Sequence, residues 1–195
     1  MRITGGQAAG RRLRVPAGAG VRPTAARVRE ALFDTLAAKV VGGCWLDLYG
    51  GSGSIALEAA SRGARAVVVE PNRAAVALIR RNRQAVGLEA AVEVLPWRAE
   101  TAVTWLRRRG TRFDVVVCDP PWKVGISEVV RSHLAALLAP DGVLVVEQAK
   151  QLAPVTVPGL VPWQSRRYGD TVLHYYRWPE GEDKRGVPGH LSRDV

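Results

Sequence analysis

Asp119-Pro120-Pro121-Trp122 is the stretch of this 195-residue chain whose residue types most directly suggest chemistry. Each proline fixes its own φ and holds the residue before it extended, so Asp119 is presented on stiff backbone. The Asp119 carboxylate and the Pro120 carbonyl are then two adjacent acceptors. Such a pair suits an NH2 group on an aromatic ring, each acceptor taking one N–H. The nitrogen lone pair, otherwise delocalised into the ring, is thereby turned towards an electrophile. Trp122 offers a flat surface on which a base would stack, worth roughly 1–3 kcal/mol. The expected chemistry is attack by a base's exocyclic amine, accelerated largely by proximity. A proline-rich loop around a buried tryptophan is the competing, purely structural reading.

A second constellation is Asp47-Leu48-Tyr49-Gly50-Gly51-Ser52-Gly53, a glycine turn between an apolar run and a helical one. Gly51-Ser52-Gly53-Ser54-Ile55-Ala56 formally fits the dinucleotide pattern, with Glu70 closing the next strand. A nicotinamide cofactor is disfavoured by Asp47, whose carboxylate would repel a pyrophosphate. The same charge suits a ligand carrying an ammonium and a sulfonium, as S-adenosylmethionine does. Glu70 would accept from the ribose hydroxyls of either cofactor.

These motifs need elements to position them. Short β-branched runs at residues 44–48, 66–69, 92–95, 113–118 and 142–147 alternate with helical stretches near 54–62, 73–86, 100–109 and 127–138. That alternation predicts a mostly parallel sheet covered by helices on both faces. The 113–118 strand is expected beside the 44–48 strand, where ligands bind beyond the strand ends. Pro154, Pro158 and Pro162 mark a loop. Residues 166–171 form a turn between two strands, the second at 172–176, and so tight a turn requires an antiparallel edge. Ahead of the sheet, Thr24 is the expected cap of a helix carrying Val28, Ala31, Leu32 and Leu36. Residues 1–22 read as a basic β arm, 23–178 as one catalytic domain and 179–195 as a flexible tail.

The composition is 47% hydrophobic and the formal net charge is +10. A substantial core is therefore expected, and so is a polyanionic partner, because cations on phosphates release counterions. Arg2, Arg11, Arg12, Arg14, Arg22, Arg27 and Arg29 all precede the first acidic residue, Glu30. No apolar run reaches the ~18 residues that suggest a membrane span, and no secretory leader is evident, which makes the cytoplasm the expected compartment. Cys44 and Cys118 lack the spacing for zinc or a disulfide framework, and the three histidines are scattered, so no metal is expected.

Met1-Arg2-Ile3-Thr4-Gly5-Gly6, the segment Arg22-Pro23-Thr24-Ala25-Ala26-Arg27-Val28-Arg29-Glu30-Ala31-Leu32-Phe33, the Asp47 to Gly53 turn and Leu57-Glu58-Ala59-Ala60-Ser61-Arg62-Gly63-Ala64 together resemble the bacterial RsmD family of 16S ribosomal RNA guanine-N2 methyltransferases. The likeness runs from Met1 to about Trp178 and takes in Arg167-Tyr168-Gly169-Asp170-Thr171. It implies a Rossmann-like class I fold with a seven-stranded sheet and an antiparallel C-terminal hairpin. It also implies S-adenosylmethionine as donor and a guanine of small-subunit RNA as acceptor, in a partly assembled 30S particle, by a monomer. On this likeness Asp47, Tyr49, Gly51, Gly53, Glu70, Pro71, Arg98 and Ala99 meet the cofactor, and Asp119, Pro120, Pro121 and Trp122 hold the amine. Arg22, Thr24 and Arg27 cap the cleft, while Arg11, Arg12 and Arg14 hold RNA. The chain departs from the family at Tyr49-Gly50, where Phe-Ala is common. It also departs at Trp122, where a smaller ring is usual, and at Trp97-Arg98-Ala99, where relatives carry an acidic residue. Methylation of DNA or another nucleic acid on the same scaffold, and a noncatalytic RNA-binding assembly factor, are the alternatives.

Overall fold

A computed structural model of the chain describes residues 1–15, 23–121 and 124–181, with side chains left out at 23–25. Arg22, Trp122, the Thr24 side chain and the tail from 182 onward therefore lie outside the described residues. The core of the fold is a seven-stranded sheet in the order β3-β2-β1-β4-β5-β7-β6. Its strands are β1 (Cys44–Asp47), β2 (Arg65–Val69), β3 (Val92–Leu95), β4 (Phe113–Cys118), β5 (Leu138–Ala149), β6 (Val161–Tyr168) and β7 (Thr171–Arg177). The first five run parallel, and β7 and then β6 add antiparallel.

Helices cover both faces, which is why the strands read as nearly continuous apolar runs. Helices α1 (Pro23–Thr35), α2 (Ser54–Ser61) and α3 (Arg73–Ala85) lie on one side. Leu32, Phe33, Leu57 and Ile79 from these helices pack there against Trp45, Val68 and Val115. Helices α4 (Ala99–Arg108) and α5 (Glu128–His133) lie on the other. Their Val103, Leu106 and Val130, with Leu134 directly after α5, meet Leu46, Val69 and Val116.

The structure departs from the sequence pattern in four places. Helix α1 already includes Pro23, so Thr24 lies inside the first turn and is not the cap. Proline suits the first helical position because its missing N–H would have had no partner there. Helix α5 stops at His133 and only a 3-10 turn, Ala135–Leu137, follows before the chain enters β5. Strand β5 is longer than expected, since Leu138 pairs with Phe113 and a register shift absorbs the Pro140-Asp141-Gly142 kink. Pro162 belongs to β6 rather than to a loop. It is tolerated because β6 is an edge strand, and the pairing shifts between Pro162 and Gln164.

Residues 1–15 fold back on themselves through one antiparallel bridge, Arg2 with Arg12. Ile3, Ala8 and Leu13 are buried in the same cluster as α1 and α2. Glu58, fully buried in α2, fastens this segment. Its carboxylate accepts from the Thr4 N–H at 2.9 Å and the Gly5 N–H at 2.8 Å, and from the Thr4 hydroxyl at 2.8 Å. It pairs with Arg62 at 2.8 Å and with the buried Arg29 at 3.5 Å. Removing one partner of a buried ion pair strands the other, at about 3–5 kcal/mol. Glu58→Ala should therefore lower the urea midpoint by an amount corresponding to such a loss. A change under about 1 kcal/mol, the range of an exposed pair, would show that the arm is held by its apolar packing alone.

Candidate active site

The winding direction reverses between β1 and β4: from β1 the chain builds outward through β2 and β3, then returns to place β4 on the other flank. Crevices at such reversals, beyond the strand ends, are where open α/β sheets bind ligands. Asp47 is the last residue of β1 and lies opposite Val117, and β4 ends one residue later at Cys118. The glycine turn and the Asp119-Pro120-Pro121 strip therefore leave the sheet side by side.

The turn is held by backbone hydrogen bonds in a conformation that favours glycine. The Gly50 N–H reaches the Val69 carbonyl at 2.9 Å, and the Gly53 N–H reaches that of Gly50 at 2.6 Å. Gly51 and Gly53 have φ of 52° and 77°, the left-handed region that side chains disfavour. A Cβ on Gly50 would lie 2.3 Å from Val68 Cγ2, so a larger residue there would force Val68 to shift. Helix α2 begins directly after Gly53 and points its N-terminal N–H groups back at the turn.

Glu70 follows β2 and ties two loops together. Its Oε2 accepts from the Gly51 N–H at 2.8 Å and its Oε1 from the Asn72 N–H at 2.8 Å. Asn72 in turn caps α3 by accepting from Ala74 and Ala75. Each carboxylate oxygen keeps a second lone pair, which is what a pair of ribose hydroxyls requires. Pro71 is exposed beside it.

Asp47 is the electrostatic centre. Burial pushes its carboxyl up to about 7, helped by the nearby charges of Asp119 and Glu70, while backbone hydrogen bonds from Tyr49 and Ala56 pull it partly back. Its Oδ1 is buried with no hydrogen-bond partner among the described residues. Burial also raises the Tyr49 phenol and the Cys118 thiol, Cys118 feeling the charges of Asp47 and Asp119 in addition. Three carboxylates thus share one crevice, and one of them carries an unmatched oxygen. A buried, unpaired charge is costly unless a cation arrives. The site fits a ligand bearing positive charge near Asp47 and hydroxyls near Glu70.

On the other flank Pro120 is buried and Pro121 exposed. The Pro121 carbonyl accepts from the Val124 N–H at 2.8 Å and the Gly125 N–H at 3.0 Å. Ser127 ends this loop as the cap of α5, and its hydroxyl donates to Glu100 of α4 at 2.8 Å. Arg98 precedes α4 with its side chain 80% exposed, pairing loosely with Glu100 at 3.7 Å. Ala99, buried, starts α4.

The expected RNA contacts fall elsewhere. Arg11, Arg12 and Arg14 are exposed, as is Arg27 on α1. A shallow groove of about 620 Å³ is lined by Met1, Arg2, Arg12, Leu13, Arg14 and Val15. Asn82, 2% exposed on α3, sets the path of this segment. It exchanges hydrogen bonds of 2.9 Å with the Arg14 N–H and carbonyl, and donates to the Ser52 carbonyl at 3.4 Å. Sequence reasoning missed Asn82, Glu58 and the Ser127–Glu100 pair. Glu58 had a signal, a lone carboxylate in the apolar run Ile55-Ala56-Leu57-Glu58-Ala59-Ala60. Asn82 had none, being one polar residue among several on an arginine-rich helix.

Known proteins share this architecture. The family model described as "Conserved hypothetical protein 95" matches residues 1–177. Ribosomal RNA small subunit methyltransferase D of Escherichia coli K12 is 34% identical over 187 residues, covering 93% of this chain and 92% of its own. The solved structure of a hypothetical protein from Thermus thermophilus is 34% identical with a TM-score of 0.78, covering 91% of this chain and 99% of that one. The structure of SMU.776 complexed with SAH, 14% identical with a TM-score of 0.66 over 80% of this chain and 50% of that one, shares the fold. The Rossmann-like sheet with its antiparallel C-terminal strands is thus that of S-adenosylmethionine-dependent methyltransferases, and the chain belongs to the ribosomal RNA small subunit methyltransferase D (RsmD) family.

Proposed function

We propose that this protein transfers a methyl group from S-adenosylmethionine to the exocyclic N2 amine of a guanine in small-subunit (16S) ribosomal RNA. The observation that carries the reading is the pairing, at one topological reversal, of a buried carboxylate with an unmatched oxygen and a rigid acidic strip. When bound, the cofactor supplies an electrophilic methyl on a sulfonium. Asp47 balances its positive charge and Glu70 holds its ribose. Tyr49, Gly51 and Gly53 shape the turn around it, while Pro71 and the Ala99 N–H border the adenosine. Arg98, turned to solvent, contributes charge only at the rim.

Asp119 and the Pro120 carbonyl each accept a hydrogen bond from one amine N–H and aim the nitrogen lone pair at the methyl carbon. Pro121 stiffens the strip, and Trp122 stacks on the base. The nucleotide must leave its stack, at a cost of a few kcal/mol. Arg11, Arg12 and Arg14 offset that cost by holding flanking phosphates, with Arg22, Thr24 and Arg27 closing over the cleft. The acceptor is RNA in a partly assembled 30S particle, and the protein acts as a cytoplasmic monomer.

Labelled-methyl transfer to small-subunit particles, naked small-subunit RNA and DNA tests the reading. Label on N2-methylguanine in RNA is expected; label confined to DNA or to adenine would overturn it. Replacing Arg11, Arg12 and Arg14 with Ala should weaken RNA binding. The slope of log affinity against log salt should flatten by roughly 0.7–0.9 for each phosphate no longer held. An unchanged slope would remove the arm from the RNA interface.

A further inference from the structure

The C-terminal hairpin carries charge in a place that the cofactor crevice does not account for. Ala149, the last residue of β5, pairs with Thr171, the first of β7, and Thr171 pairs with Tyr168, the last of β6. Because β5 runs parallel to β4, the Gly169-Asp170 turn sits on the same edge of the sheet as Asp119. Strands lie ~4.8 Å apart, so the turn is on the order of 10–15 Å along that edge from the end of β4.

Between Lys150 and Tyr168 there is no acidic residue, while Arg166 and Arg167 stand in sequence just before the turn. Both are exposed. The turn's one acid, Asp170, is neutralised by Lys150 at 2.6 Å, and the Lys150 N–H also donates to the Asp170 carbonyl at 2.8 Å. The hairpin is thereby fastened to the end of β5. Arg167 is curled at the tip, its Nε donating to the Gly169 carbonyl at 3.0 Å. Arg166 pairs with Leu173 and so shares the face that carries α1, where Arg27 is also exposed. The arm and its Asn82 clamp lie towards the opposite flank, against α3 and the glycine turn.

We infer that the β6–β7 hairpin is a second RNA-backbone grip: Arg166 and Arg167 hold phosphates of the acceptor strand on the side of the crevice opposite the arm. The strand then crosses the sheet's edge with the target nucleotide between two basic anchors. Edge protection also favours charged residues on an outer strand, but it predicts no effect on RNA binding by a monomeric protein. The inference rests on the RNA methyltransferase reading above.

The test compares wild type with the Arg166→Ala, Arg167→Ala double variant and the corresponding double lysine variant. Methyl transfer to small-subunit RNA and particles is followed across a salt series, and S-adenosylmethionine affinity is measured in parallel. The expected result for the alanine variant is a raised KM for RNA. Its salt slope should be reduced by roughly 1.4–1.8, the amount for two phosphates, with cofactor affinity unchanged. The lysine variant should retain most of the slope. An alanine variant with wild-type KM and slope overturns the hairpin's role while leaving the enzyme reading intact. A wild type that methylates no small-subunit RNA overturns both.

Discussion

Asp119→Ala is expected to cut kcat for methyl transfer by roughly 10²–10³, the cost of losing one preorganised polar group at a reacting centre. Cofactor affinity should stay within a few-fold of wild type. The split follows from the proposed roles: Asp119 sits just after β4, whereas the carboxylates proposed to hold the cofactor are Asp47, at the end of β1, and Glu70, just after β2. Asp119 is also the second-largest influence holding the Asp47 carboxyl high, after burial itself. Removing its charge should make Asp47 easier to ionise, so the variant should bind the cofactor slightly better than wild type at about pH 6, below the folded-state value near which Asp47 titrates. Asp119→Asn keeps one acceptor oxygen and should fall between wild type and alanine. An Asp119→Ala protein with wild-type kcat would place the amine elsewhere.

Asp47→Asn should do two things of opposite sign. It should weaken S-adenosylmethionine binding by roughly tenfold or more, the scale of one buried charge pair, and it should raise the melting temperature of the ligand-free protein. The folded-state carboxyl is held at about 7 against an ordinary value of 3.8. Its protonated form is therefore favoured by the fold, and the ligand-free wild type loses stability as pH rises from about 4 to about 7. Above that window the burial cost is fully present, on the order of a few kcal/mol at about 1.36 kcal/mol per unit. Asparagine carries no such charge, so its advantage should be largest at about pH 8 and vanish near pH 4. Binding runs the other way. A cationic ligand needs the ionised form, so wild-type affinity should fall up to about tenfold per unit below about pH 7. The charges facing Asp47 are those of Asp119 and Glu70, and the Asp47→Asn profile is the reference that isolates the Asp47 contribution. Calorimetry and thermal melts across roughly pH 5–8 measure both effects. A destabilised Asp47→Asn protein would mean that the carboxylate is needed by the turn itself.

Much of the site is legible in the sequence because each motif carries its own geometry. The glycines at 51 and 53 announce positive φ, and the prolines at 120 and 121 announce a stiff strip. The Val-rich runs with both faces covered announce a parallel sheet, and the adjacency of β1 and β4 follows from the winding rule. What stays hidden depends on long-range partners. Nothing local shows that Asn82 grips the main chain 68 residues earlier, or that Glu58 reaches Thr4 across 54 residues. Helix α5 is shorter than its apolar spacing predicts, because that spacing continues into Ala135–Leu137 and β5, where tertiary pairing with Phe113 takes over. Why a glycine stands at position 50 is visible only in three dimensions, in the space filled by Val68.

The long reach of the Glu58 and Asn82 contacts also bears on synthesis. Residues 3–14 leave the ribosome before their partners at 58, 61 and 82 exist. At about 5–20 residues per second the wait lasts several seconds. During that interval a cationic segment is unsheltered together with Ile3, Ala8 and Leu13, the apolar side chains it later buries. Translation speed through the first helices should therefore influence the yield of this protein.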